Sequence, residues 1–194
     1  MSSRRVVVTG LGLITPVGND VDSAWSALKN GQSGINAIEH FDTSEFSTQF
    51  GGSIKNFDCT DYMLAKEARR MDVFMHYGVA AGVQAFQDSG LEDSSLNLER
   101  AGVAIGSGIG GISSIEENAL LIRDSGPRKV SPFFVPGSII NMIGGSLSIR
   151  FGLQGPNIAV TTACTTGTHN IGLAANMISA NQADVMLAGG AEGA

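Results

Sequence analysis

The chain has 194 residues, a formal net charge of −6 and a hydrophobic fraction of 43%. A chain of this length can bury a full core, and so apolar a composition excludes intrinsic disorder. Only 15% of the residues are charged, against roughly a quarter in an average soluble chain, which predicts large buried interfaces. The acidic balance argues against nucleic-acid binding, and no apolar run approaches the length of a membrane span.

Apolar runs that end at glycine predict buried strands, and apolar residues spaced at i, i+3 and i+4 predict helices. The predicted strands cover 6–9, 101–105, 157–161 and 185–188, and the predicted helices cover 20–29, about 66–70, about 79–89, 113–123, 139–149 and 165–180. Prolines in KVSPFFVPG (129–137) exclude a central strand there. The alternation predicts a layered α/β domain. Because the chain stops just after a buried strand, we expect it to be a piece of a larger fold.

Two cysteines, Cys59 and Cys164, are too few to stabilise a secreted protein through disulfide bonds. The apolar run after Arg4 and Arg5 is too short for the core of a signal peptide. The sequence therefore predicts a cytoplasmic protein with reduced thiols.

Cys164 lies in VTTACTTGTHNIGLAAN (160–176), where a predicted strand ends and a predicted helix begins. The N–H groups and partial positive charge of a helix N-terminus stabilise a thiolate and an oxyanion beside it. Small neighbours favour a tight turn like a nucleophile elbow, although most free cysteines are simply buried. His169 should point about 140° away from Cys164 on a helix, so we interpret it as structural. A predicted inward stripe faces the sheet: Ile171, Ala174, Ala175 and Ile178.

The loop GSGIGG (106–111) matches the G-x-G-x-x-G dinucleotide fingerprint between a predicted strand and a predicted helix. The fingerprint also needs a strand that ends in an acidic residue about 20 residues later, where this chain has RKVSPFF. A tight loop against a neighbouring backbone is the commoner explanation. No spacing typical of metal ligands occurs, so we predict neither a cofactor nor a metal ion.

Basic residues form two clusters in this acidic chain. Lys66, Arg69 and Arg70 share a predicted helix face, and Arg128 is followed by Lys129. Such patches steer acidic partners, but a solvated helix face gives the same pattern.

Five segments of the chain, in order, resemble the N-terminal part of the bacterial β-ketoacyl-[acyl-carrier-protein] synthases, closest to type II. They are RRVVVTGLGLITPVGN (4–19), GSGIGG (106–111), SPFFVPGSIINM (131–142), GLQGPNIAVTTACTTGTHNIG (152–172) and ADVMLAGGAEGA (183–194). The resemblance implies a thiolase-like α-β-α-β-α fold, with residues 1–194 as its N-terminal half. No position here matches the family's two catalytic histidines, its lysine or its second oxyanion donor, so we expect this piece alone to be inactive.

The resemblance also implies an activity, a decarboxylative Claisen condensation in fatty acid elongation. Cys164 would take an acyl chain from acyl carrier protein as a thioester, and its backbone N–H would be an oxyanion donor. Malonyl-loaded carrier protein would lose CO2, and the resulting carbanion would attack the acyl–enzyme to give 3-oxoacyl carrier protein.

Further residues match family positions. Ile109 would gate the acyl pocket, Phe134 would reach the partner's pocket in a homodimer, and the strand at 157–161 would pair across the two-fold axis. The basic residues at or near the family's carrier-protein docking patch are Lys66, Arg69, Arg70, Arg128 and Lys129.

Three alternatives stay open from the sequence. A polyketide ketosynthase would share nearly every motif. A transacylase or hydrolase would use Cys164 without decarboxylation. A nonenzymatic fragment would bind carrier protein or dimerise without turnover.

Overall fold

The computed structural model describes residues 4–93 and 95–193. The helices are α1 (Val21–Lys29), α2 (Ala65–Ala68), α3 (Val73–Asp88), α4 (Ile112–Ser125), α5 (Phe134–Ser138), α6 (Met142–Phe151) and α7 (Thr166–Ser179). The strands are β1 (Asn36–Ala37), β2 (Phe50–Gly51), β3 (Ala101–Gly106), β4 (Asn157–Ile158) and β5 (Val185–Gly190). None of the helices in these two ranges is long and apolar enough to cross a bilayer.

The main sheet is parallel and has the order β4-β3-β5. β3 pairs with β5 from Ala101 opposite Val185 to Gly106 opposite Gly190, and all of β3 is buried. Side chains alternate between the two faces of a strand. Ala101, Val103 and Ile105 therefore face the apolar core, whereas Gly106 lies against α7.

The core lies between β3, α3 and α6. Phe74, Met75, Ile143 and Leu147 are essentially inaccessible to solvent. The two helices approach closely because α3 carries glycines where α6 carries branched side chains. A Cβ on Gly78 would lie 2.6 Å from Ile143 Cδ1, and one on Gly82 would lie 2.5 Å from Leu147 Cδ1.

Several predicted elements are confirmed, with changed boundaries. The strands at 101–106 and 185–190 form, as do α1, α3, α4 and α7. The predicted helix at 139–149 instead begins at Met142, after the separate short helix α5. α2 ends at Ala68, so Arg69 and Arg70 follow the helix rather than share its face with Lys66. The predicted strand at 157–161 pairs only at Asn157 and Ile158.

The prediction of a buried strand at 6–9 is wrong. Val8 is 77% exposed, and among the described residues no backbone hydrogen bond joins this segment to a strand. The segment is held instead from its two ends. The Arg4 guanidinium binds Asp184, whereas the Leu11 N–H donates to Asp88 on α3. An apolar run becomes a strand only where a strand edge pairs with it, and a groove of about 410 Å³ separates this run from β5.

The predicted inward stripe of α7 is confirmed only in part, because Ala174 is buried, Ala175 and Ile178 are half-buried and Ile171 is exposed. The buried residues of α7 are Thr166, Asn170 and Ala174, whereas Ile171 is 53% exposed. The buried residues of α7 are small or polar. At Gly106 and Gly190 the helix lies so close to the strands that a Cβ there would meet α7 at about 3 Å. The predicted stripe lines the groove beneath residues 6–11: Ile171, Ala174, Ala175 and Ile178.

Candidate active site

Cys164 lies in a tight turn between β4 and α7, and its side chain is exposed. The turn closes through two backbone hydrogen bonds, from Thr165 N–H to the Thr162 carbonyl (3.1 Å) and from Thr166 N–H to the Ala163 carbonyl (3.0 Å). Ala163 takes a positive φ of 52°, a conformation that non-glycine residues rarely adopt. Such strain concentrates at functional sites. The turn thus presents a free thiol just ahead of the helix N-terminus.

Asn170 fastens this turn to the helix behind it. Its side chain is fully buried and replaces a strand partner for Val160. The Asn170 Oδ1 accepts from Val160 N–H (3.1 Å), and its Nδ2 donates to the Val160 carbonyl (2.9 Å). The same Nδ2 also donates to the Thr166 carbonyl. This pairing occupies the backbone of Val160, and sequence patterning missed it because an asparagine in a helix usually indicates exposure.

His169 lies behind the turn and contacts Thr162, with 2.7 Å between His169 Nδ1 and Thr162 Oγ1. The Thr162 N–H in turn donates to Thr166 Oγ1 at 2.9 Å. The three side chains brace the backbone on either side of Cys164. This arrangement agrees with the interpretation of His169 as structural.

The glycine loop (106–111) lies beside the cysteine turn. The Thr161 hydroxyl donates to the Ser107 carbonyl at 3.0 Å, and a Cβ on Gly108 would lie 3.3 Å from the Ala163 carbonyl oxygen. The loop is therefore the tight approach to a neighbouring backbone that we considered the commoner explanation. Ile109 at its tip is 52% exposed.

Glu192, which the sequence analysis did not single out, holds this loop. Its carboxylate accepts from the Ser107 hydroxyl at 3.1 Å and from the Ile109 N–H at 3.0 Å. The sequence feature that could have indicated this role is an acidic residue just past the carboxyl end of β5. A negative charge bound to the loop N–H disfavours a phosphate there, which weighs against the dinucleotide interpretation.

One residue of the basic clusters, Arg70, contacts an aromatic ring. The Arg70 guanidinium carbon lies 3.9 Å from the ring centroid of Phe133. Phe133 follows Lys129 by four residues, and Phe134 begins α5 half-buried. The five basic side chains are exposed, and within residues 4–93 and 95–193 they form no ion pair: Lys66, Arg69, Arg70, Arg128 and Lys129.

Residues 3–194 match the family model described as "Beta-ketoacyl synthase, N-terminal domain". The chain belongs to the β-ketoacyl synthase family. It is 63% identical over 192 residues to 3-oxoacyl-[acyl-carrier-protein] synthase 2 of Vibrio cholerae, an alignment that covers 99% of this chain and 46% of that protein. The protein of the same name from Coxiella burnetii is 52% identical over the same shares of the two chains. The chain thus spans about half the length of these relatives.

Solved ketosynthases share the fold of this family member. One is a ketosynthase of a type II polyketide system in complex with its acyl carrier protein, bound to a hexaketide. It superposes with a TM-score of 0.83 at 27% identity, over 99% of this chain and 52% of that one. The ishigamide ketosynthase/chain length factor gives the same TM-score and identity over all of this chain and 48% of its own. The predicted thiolase-like α/β fold, of which these residues form the N-terminal part, is confirmed.

Proposed function

We propose that the complete protein is a condensing enzyme of fatty acid elongation, with Cys164 as the residue that carries the acyl chain. The observation that carries this proposal is the exposed thiol on a strained turn ahead of α7. Family membership over residues 3–194 and the shared name of the relatives support it.

The first reaction is an acyl transfer. The Cys164 thiolate attacks the thioester carbonyl of acyl-loaded carrier protein, the carrier's thiol leaves, and the acyl group is bound to sulfur. Exchange of one thioester for another is nearly balanced in free energy and leaves the carbonyl electrophilic. In the proposed reaction, the backbone N–H of Cys164 donates to the oxyanion of the tetrahedral intermediate.

The second reaction forms the carbon–carbon bond. Malonyl-loaded carrier protein loses CO2, the resulting carbanion attacks the acyl carbonyl on Cys164, and the sulfur leaves as the thiolate. The product is 3-oxoacyl carrier protein, two carbons longer than the starting acyl chain. We assign the groups that stabilise the carbanion to the part of the protein outside residues 1–194.

Intact mass spectrometry of the full-length protein tests the first reaction. After incubation with acyl-loaded carrier protein, we expect a mass increase equal to one acyl group, mapped to Cys164 and absent in Cys164→Ala. Cys59→Ala is the matched control, because Cys59 is the other cysteine of residues 1–194 and is half-buried. Acylation that persists in Cys164→Ala would refute the assignment.

Release of CO2 tests the second reaction. A synthase releases CO2 from malonyl-loaded carrier protein in proportion to the 3-oxoacyl product. A transacylase or hydrolase acylates Cys164 without releasing CO2, and a binding fragment shows neither reaction.

The carrier protein is the proposed partner of the basic surface formed by Lys66, Arg69, Arg70, Arg128 and Lys129. These side chains are exposed and form no ion pair in the described residues, and Arg70 lies over the ring of Phe133. Complementary charge steers such encounters and raises association rates. A relative of the same fold was solved with its carrier protein bound.

A second copy of the chain is the proposed occupant of an apolar surface on α4. This helix buries none of its residues, although four of its large apolar side chains are among the exposed ones: Ile112, Ile115, Leu120 and Ile122. β4 also has an unpaired edge, since it bonds only to β3 in the described sheet. Sedimentation of the full-length protein should give a dimer, and Ile115→Glu should weaken it.

A polyketide ketosynthase is the second candidate, favoured by the ketosynthase of a type II polyketide system that shares this fold. Repeated condensation without reduction of the 3-oxo group would distinguish it. The proposed elongation enzyme stops after one condensation when no reductase is present.

A further inference from the structure

The carboxylate of Glu192, which follows the end of β5 by two residues, binds the glycine loop (106–111). Its Oε2 accepts from the Ile109 N–H (3.0 Å), and its Oε1 accepts from the Ser107 hydroxyl (3.1 Å). The same hydroxyl oxygen, Ser107 Oγ, accepts a hydrogen bond from the Gly110 N–H at 3.0 Å. One side chain from beyond β5 thereby fixes the backbone on both sides of Ile109.

The rest of the loop is fixed independently of Glu192. The Gly111 N–H donates to the Ser138 carbonyl at 2.9 Å, and the buried Asp72 accepts from the Ser114 N–H at 2.8 Å, which caps α4. Ser107 is buried, and its backbone carbonyl accepts a hydrogen bond from the Thr161 hydroxyl. Removal of the Glu192 carboxylate would thus free the tip of the loop while both of its ends stay anchored.

The tip has the freedom to move once it is released. Gly108 and Gly110 flank Ile109, and Gly110 has a φ of +84°, which glycine adopts without strain. A Cβ on Gly108 would lie 2.7 Å from Glu192 Oε2, so the carboxylate packs directly against the loop backbone. The position of the exposed Ile109 side chain therefore depends on this contact.

We propose that Glu192 is a positioning residue that sets the place of Ile109 and thereby the acyl chain length that Cys164 accepts. This inference rests on the proposed acyl transfer to Cys164 and on the role that the family resemblance implies for Ile109, that of a gate to the acyl pocket. With the loop tip fixed, Ile109 discriminates between short and long chains. With the tip free, the discrimination falls.

The test compares the full-length wild-type protein with Glu192→Ala, Glu192→Gln and Glu117→Ala. Glu117 is the matched control, because it is an exposed carboxylate on α4, the helix that follows the loop. Rates of Cys164 acylation are measured by intact mass with hexanoyl- and palmitoyl-loaded carrier protein. We expect the ratio of the two rates to move toward unity by fivefold or more in Glu192→Ala and to stay unchanged in Glu117→Ala.

Glu192→Gln separates positioning from a general structural role. Its amide oxygen can accept one of the two hydrogen bonds, so the ratio should be partly restored. Hydrogen exchange of the peptide spanning 106–112 should be faster in Glu192→Ala than in wild type. A purely structural residue would lower the melting temperature and leave the rate ratio as it is.

Two outcomes would overturn the inference in distinguishable ways. Acylation of Cys164 at an unchanged ratio in Glu192→Ala refutes the role of Glu192 and leaves the proposed function intact. A wild-type protein that is never acylated at Cys164 refutes the proposed function and the inference with it.

Discussion

The side-chain amide of Asn170 forms a two-way hydrogen-bond pair with the backbone of Val160, ten residues earlier in the chain. The amide thus satisfies the backbone N–H and carbonyl of Val160, as a neighbouring strand would in a sheet. Asn170 is fully buried, so its side-chain amide has no partner in the solvent that could replace this pair. The position of the cysteine turn therefore depends on one buried polar side chain.

Asn170→Ala should destabilise the full-length protein by about 1–3 kcal/mol, since it leaves the part-buried N–H and carbonyl of Val160 without their side-chain partner. Urea unfolding measures this loss. Asn176→Ala is the matched control, because Asn176 is exposed on the same helix, and it should change little. Equal stability of the two variants would contradict the structural role of the pair.

Charge reversal tests the proposed carrier-protein surface. Arg69→Glu and Lys129→Glu should each weaken carrier-protein binding by about tenfold or more, because they replace attraction with repulsion. Fluorescence anisotropy of a labelled carrier protein measures the affinity, and the loss should shrink at high salt. Arg123→Glu is the control, since Arg123 is already paired with Asp124 on α4. An equal loss in all three variants would point to net charge rather than to a docking surface.

Asp184 predicts a pH dependence of stability. Hydrogen bonds from Arg100 and Arg4 hold the pKa of the Asp184 carboxyl well below its usual range. The folded protein therefore binds this proton less readily than the unfolded chain does. The contribution is fully present above the unfolded value of about 4 and is lost as the pH falls below it.

Melting curves between neutral and acidic pH check this prediction. The wild type should exceed Asp184→Asn in melting temperature at neutral pH, and the gap should narrow as the pH falls through 4 and below. Glu45→Gln, an exposed residue between β1 and β2, should parallel the wild type throughout. A gap that stays constant with pH would show that the ionised carboxylate is not what Arg4 and Arg100 stabilise.

Gly12 sets how the N-terminal segment lies on α3. A Cβ at this position would lie 1.8 Å from the Ala81 carbonyl oxygen, a backbone atom that cannot move aside. Gly12→Ala should therefore cost about 2–3 kcal/mol in the free energy of unfolding. Gly172→Ala, on α7 with open space around it, should instead stabilise by about 0.5–1 kcal/mol through helix propensity. A Gly12→Ala protein as stable as wild type would show that the segment is not packed on α3 in this way.

Local patterning determined much of this protein. The apolar run predicted at 101–105 and the helical spacing of α1, α3, α4 and α7 each require only neighbours in sequence, and each element formed with changed boundaries. The small residues around Cys164 likewise favour a tight turn by themselves. The family resemblance also indicated the fold, because each motif that carries it is contiguous in sequence.

Only the tertiary structure decided which predicted surfaces are buried and what holds the loops. The valines at 6–8 have the composition of a strand, yet a strand forms only where a partner edge meets it, and here α3 and Asp184 hold the segment apart from β5. The Glu192–Ile109 hydrogen bond joins residues 83 positions apart, a distance over which no periodicity carries information. Hydrogen bonds and burial depend on positions in space, so the residues that fix the candidate site were visible only in the folded chain.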